Sequence, residues 1–333
     1  MTFRSASRAV VALGCGIALC GNVLVSAQTM QFAQVASIPG PADRLDVQGQ
    51  YAYIAAGKSL TIVDVSNPAA PKRTGSYESP EKIWGFRVVG SLVYLAADFF
   101  GLGILEVSGT GTPTLRGSLK TPGQAKNVAV VGTKALVADH MSGVDHIDVS
   151  NAAKPVSIGS FFLDGYARDV VSSGSLAYAV DAPTGLYIFD LTKPGPLEPI
   201  ATVQSASAPG SIVVSNGPSG DAPKIVAMVG AGTLQVYDVS DPAAPMRVAT
   251  FKTPSGRPAR ATLSGRMAYV ADGREGLQVV DLSTPSMPRL VGTYKTPNPA
   301  RDVAVANAHV FVATGTGGEE ASRGEVLVLR QTP

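Results

Sequence analysis

One twelve-residue phrase recurs along the chain, and it restricts the possible folds more than any other feature. LTIVDVSNPAAP at 60–71 returns as LQVYDVSDPAAP at 234–245 and LQVVDLSTPSMP at 277–288, with LYIFDLTKPGP at 186–196 a looser copy. Its acidic residue falls at Asp64, Glu106, Asp148, Asp190, Asp238 and Asp281, at intervals of 42, 42, 42, 48 and 43. Seven residues later stands Pro71, Pro113, Pro155, Pro245 or Pro288, and only the fourth copy differs, with Leu197. Thirteen residues after the acid comes Tyr77, Leu119, Phe161, Val203, Phe251 or Tyr294. A fixed period of this size is the signature of stacked supersecondary units.

Each unit reads as four short strands, shown in the sixth copy by RATLSG, MAYVAD, LQVVDLS and RLVGTY, with Gly, Pro and Ser at the turns. β-branched and apolar residues occupy both faces of these strands, so each sheet must be covered on both sides. Pro cannot donate to a ladder and belongs where the third strand has ended and the outer strand begins. Four strands in about 42 residues make one propeller blade. The expected fold is all-β, a seven-bladed β-propeller of four-stranded blades. Six copies end at Tyr294, and ARDVAVANAHVFVAT with EVLVLRQT supplies only three strands of a seventh. FAQVASI at 32–38 resembles an outer strand and is expected to complete that closing blade, split between the N- and C-terminal strands.

Upstream of the first strand, MTFRSASR and the apolar run AVVALGCGIALCGNVLV lead to Val25-Ser26-Ala27. This is the pattern of a secretory signal peptide, residues 1–27, followed by a single propeller domain, 28–333. An uncleaved anchor fits less well because a small-residue site follows the run. A lipid on Cys15 or Cys20 fits less well still, with too short an apolar run before the first and Leu19 before the second. The expected address is secreted or periplasmic, at most cell-surface associated, with no membrane span after cleavage. Both cysteines leave with the signal, which excludes disulfides, thiolate metal sites and thiol catalysis in the mature chain. Arg4 and Arg8 leave too, bringing Lys plus Arg down from 27 to equal the 25 Asp plus Glu. A neutral chain gives no electrostatic reason to expect nucleic acid.

The motif GLxVVDVSxPxxP, preceded by an AYVAD strand, resembles the LVIVD-repeat family of bacterial extracellular propellers over residues 32–330. The resemblance implies a fold and an extracytoplasmic address but no reaction.

Used as an internal alignment, the repeats point to one face of the ring. Where the inner strands begin stand Trp84, Lys126, Arg168, Gly210, Pro258 and Arg301, with Arg44 and Arg260 nearby. Two readings are open: the basic groups focus a carboxylate or phosphate at the channel mouth, or they pair with the neighbouring Asp43, Asp169 and Asp302 and tie blades together. On the same face Asp98-Phe99-Phe100 and Asp139-His140-Met141 break the repeat. With Trp84 they form an aromatic wall for a sugar or peptide, or they cover a gap between blades. Asp98, Asp139, Asp181 and Asp272 end successive second strands and read as turn formers. His146 replaces an apolar residue of a third strand and reads as a core histidine. Asp139, His140 and Asp145 match no metal motif, so no metal is expected.

No cofactor is expected either. AYIAAGKS at 52–59 lacks the first glycine of a phosphate-binding loop, and neither GxSxG nor HExxH occurs. Glu319 and Glu320 are adjacent carboxylates in a Gly-rich loop at 314–324; a second insertion occupies 216–223. The sequence thus suggests a non-enzymatic module that binds a protein, a cell-wall component or a small anionic ligand. The alternative is a channel-mouth lyase or hydrolase acting on an anionic saccharide or lactone, with Arg168 and Arg301 holding the anion and His140 as base.

Overall fold

The computed structural model describes residues 29–107, 112–193, 196–205, 208–215, 224–316 and 324–332. The expected signal peptide at 1–27, the insertion at 216–223, and Glu319 with Glu320 lie outside the described residues. Twenty-eight strands form seven antiparallel four-stranded sheets. Blade 1 is typical: an inner strand Arg44–Gln48, then Tyr51–Ala56, Ser59–Asp64 and an outer strand Lys72–Glu78. Blades 2 to 6 follow at 85–119, 127–161, 166–204, 211–252 and 260–294. Blade 7 takes Ala300–Ala306, His309–Gly315 and Gly324–Thr332 from the end of the chain, and Gln31–Pro39 from its beginning as the outer strand. Every inner strand touches the next around the ring, including that of blade 7 against blade 1, so the circle is closed. Both the blade number and the split closure therefore match the sequence reading.

There is no single core. Alternation along a strand sends successive side chains to opposite faces, so each blade contributes to two of seven apolar wedges between blades. In blade 3, Ala135 and Val137 join Tyr94, Leu102 and Ile104 of blade 2, while Leu136 and Ala138 join Ala177, Tyr187 and Phe189 of blade 4. This is why the strands are apolar on both faces. Each fully buried Leu or Phe in a wedge contributes about 1.5–3 kcal/mol.

The repeated phrase proves to be a pair of local turns. Oδ1 of Asp64 accepts the Ser66 N–H at 2.8 Å, and Asp148, Asp190, Asp238 and Asp281 do the same for the residue two further on. The next polar side chain repeats the device one step later, as in Asn67 Oδ1 with Ala69 N at 3.2 Å. These Asx turns deliver the proline immediately before the outer strand. Every blade then carries a bulge between its third and outer strands, at Ile62/Val63 in blade 1 and Gln34/Ala36 in blade 7. A bulge bends and twists an edge strand, which protects the rim from pairing with another chain.

Two registers differ from those the spacing predicts. Ala259, not Pro258, occupies the first inner-strand position of blade 6, because its N–H bonds Ala271 O as that of Lys126 bonds Ala138 O; the preceding loop is one residue longer. Asp98 corresponds to His140 and Gly273 rather than to Asp139, since all three form the same bridge to the next blade and have φ of 42°, 52° and 54°.

Candidate functional site

The channel mouth is built from two stacked rings. The rim ring consists of Asp43, Trp84, Lys126, Arg168, Gly210, Ala259 and Arg301. One residue deeper, opposite the same point of each second strand, lie Arg44, Gly85, Asn127, Asp169, Ser211, Arg260 and Asp302. Below them the inner strands enclose a channel cavity of about 210 Å³. Gly85 is required by its neighbour: a Cβ there would fall 2.3 Å from Asn127 Oδ1.

The deeper ring is a set of blade-to-blade ties. Asp169, fully buried, accepts N–H bonds from Val170 at 2.9 Å and Ile212 at 3.1 Å, the Asn127 amide, and Arg260 Nη1 at 3.2 Å. Asp302 repeats the pattern between blades 7 and 1, with Val303 N at 2.9 Å and Leu45 N at 3.1 Å. On the rim, Arg301 Nε lies 2.9 Å from Asp43 Oδ1. The charges do tie blades together: Arg260 reaches Asp169 two blades away, and Arg301 reaches Asp43 of the next blade rather than the residue beside it in sequence. Arg301 and Asp302 both reach blade 1, the first at the Asp43 carboxylate and the second at the Leu45 N–H. Burial, and then the like charge of Arg260, bring Arg44 down to about 10, against the pull of Asp302, Asp169 and Asp43. Burial also raises Asp302, opposed by Arg260 and Arg44.

Over blades 2 to 4 the rim is different. The ammonium groups of Lys82 and Lys126 lie 4.0 and 4.3 Å from the Trp84 ring centroid, and Trp84 Nε1 donates to Asp98 Oδ2 at 3.2 Å. His140 stacks on Tyr166 at 4.8 Å and 14°. Desolvation first, then the charges of Lys126 and Arg168, lower the His140 pKa, so the ring is neutral at pH 7. Lys82, Lys126 and Arg168 form no ion pair with any described residue. Around them Phe162 is 72% exposed, Met141 71%, Phe99 60% and Tyr166 45%. Phe100 turns inward against the wedge between blades 1 and 2. The two phenylalanines thus divide between the two roles open in the sequence, Phe99 forming surface and Phe100 filling a gap.

The structure separates the sequence candidates into two groups. Trp84, Phe99, Lys126, His140 and Arg168 lie over blades 2 to 4, whereas Arg44, Arg260 and Arg301 share a recess on the opposite side of the mouth, which neither His140 nor Arg168 lines. Lys82, Phe162, Tyr166 and Arg257 were not singled out by the repeats, because they occupy connecting loops or the ends of strands, where the blades do not align. The turn-forming aspartates act as clamps: Asp139 accepts from Thr121 Oγ1 at 2.7 Å and Gly123 N at 2.6 Å, and Asp181 holds Gly165 and Gly185 in the same way. His146 is buried at the bulge of blade 3. Among the described residues, no three His, Cys, Asp or Glu lie together as a metal site.

Seven radial four-stranded sheets around a lined channel define a β-propeller. The LVIVD repeat is matched at residues 39–79, 122–162, 164–197 and 256–296. The chain thus carries LVIVD repeats in four places on a seven-bladed propeller, consistent with the LVIVD propeller family. No curated protein matches it. Among solved structures it is similar to the crystal structure of a mitotic checkpoint complex, at TM-score 0.66 and 12% identity over 99% of each chain. It is also similar to the computationally designed Ika8 protein, at TM-score 0.63 and 10% identity over 86% of this chain and 83% of that one. At these identities the likeness concerns the fold alone.

Proposed function

We propose that the protein is an exported, non-enzymatic binding propeller whose docking surface is the rim over blades 2 to 4, and that it takes an acidic polypeptide segment bearing aromatic or aliphatic side chains. The observation that carries this reading is the combination at one rim of three unpaired cations, Lys82, Lys126 and Arg168, with exposed Phe99, Met141, Phe162 and Tyr166. Aromatic and Met side chains beside Arg are the composition of interface hot spots, and cations held on an aromatic face without an ion pair favour an anionic partner. Export is supported by the segment 1–27 and by the absence of cysteine after it. The catalytic alternative draws less support, since His140 is stacked on Tyr166 and stands apart from the recess holding Arg301.

Fluorescence anisotropy with labelled peptides tests the reading. Acidic peptides containing Phe or Leu are expected to bind saturably, with affinity that falls as salt is raised, and to lose at least about tenfold on Arg168→Glu. Equal binding of acidic and basic peptides, or no effect of Arg168→Glu, would overturn it. N-terminal sequencing of the exported protein should begin at Gln28.

A further inference from the structure

On the far side of the mouth from that surface, a recess of about 250 Å³ is lined by Arg44, Arg257, Arg260 and Arg301, with backbone from the start of blades 5, 6 and 7 and no acidic side chain. The four cations are not equally engaged. Arg260 is paired with Asp169, whereas Arg301 lies against Asp43 with its Nε 2.9 Å from Oδ1 but making no hydrogen bond. Arg44 donates from Nη1 to the carbonyl of its neighbour Asp43 at 2.9 Å, while its Nε is buried with no partner. The Arg257 side chain is exposed and makes no ion pair or hydrogen bond among the described residues.

A buried donor without a partner is uncommon in folded proteins and costs free energy. Guanidinium groups present planar forks that match the oxygens of a carboxylate or phosphate. Arg44, Arg257 and Arg301 keep unused donors in one concave site beside Arg260, and so meet both conditions.

We infer that this recess binds the oxyanion of a small molecule, a carboxylate or a phosphate, with Arg257 and Arg44 as its principal donors and Arg260 and Arg301 as fixed walls. The site is separate from the polypeptide surface over blades 2 to 4 and does not depend on it. Bound anion would offset the mutual repulsion of Arg44 and Arg260.

Isothermal titration calorimetry with inorganic phosphate and with succinate, each against chloride at matched ionic strength, tests the inference. At least one is expected to bind saturably with a Kd below about 10 mM, and the two arms decide which oxyanion the recess prefers. Arg257→Ala, an exposed position, should weaken binding about tenfold or more without moving the unfolding midpoint. Arg44→Gln should weaken it as well, while Arg168→Ala, on the other surface, should leave it unchanged. Heats no larger than those of chloride for both anions, or full binding retained by Arg257→Ala, would overturn it. Should Arg44→Gln fail to fold, Arg257→Ala still decides.

Discussion

Asp169→Ala should be among the most damaging single substitutions at the channel mouth. The carboxylate receives donors from four blades: Asn127 from blade 3, Val170 from its own blade 4, Ile212 from blade 5 and Arg260 from blade 6. Removing it leaves Arg260, whose side chain is only 14% exposed, without its counter-charge and strands the buried donors that Asp169 had satisfied. Loss of one partner of a buried pair costs about 3–5 kcal/mol, and each stranded donor a further 1–3, roughly, if water does not reach it. We expect a loss of about 4 kcal/mol, or a fall in Tm of roughly 8 °C for a chain of this size. Urea and thermal unfolding followed by the fluorescence of Trp84, the single tryptophan, would measure it. Arg260→Met should cost about half as much, because Asp169 keeps three donors, and the double variant should be less than additive by about 2 kcal/mol. A loss below about 1 kcal/mol for Asp169→Ala would refute the view that these charges are structural ties.

Three further outcomes are expected. Gly85→Ala places a Cβ 2.3 Å from Asn127 Oδ1 and 2.8 Å from the Lys126 carbonyl, and should destabilise by about 1–3 kcal/mol in urea unfolding. Burial raises the Asp139 carboxyl to about 6, against the hydrogen bonds from Thr121 and Gly123. Its charged form therefore opposes folding above that pH, and the opposition fades as pH falls toward the unfolded value near 3.8. Wild type should gain up to about 3 kcal/mol from this group between pH 7 and pH 4, a gain that Asp139→Asn lacks when the two are compared at each pH. His140→Gly, which relieves a φ of 52°, should gain about 1 kcal/mol in stability while weakening peptide binding through loss of the Tyr166 stack.

The architecture was legible because each blade must solve the same problem. An Asx turn, a proline and an apolar marker at fixed offsets are local devices, and local devices leave a period in the sequence. Even the split closure could be read, since the three strands after residue 294 and the single strand before residue 40 complement each other. The site was legible only in part. The identity of the rim cations could be read from the alignment, but their partners could not, because Arg301–Asp43 and Arg260–Asp169 join residues far apart in sequence. One-residue differences in loop length hid the register of Asp98 and Ala259. Phe162 and Arg257 carry no repeat signal at all, and only the closed ring shows that one is on the rim over blades 2 to 4 and the other in the arginine recess.

The proposed polypeptide surface can be tested by selection from an unbiased peptide display library against the wild-type protein and a Phe162→Ser/Arg168→Glu variant. Wild type should select a consensus of Asp or Glu flanking an aromatic or aliphatic residue, absent with a variant that unfolds at the same midpoint. A consensus retained by the folded variant, or one dominated by basic residues, would contradict it.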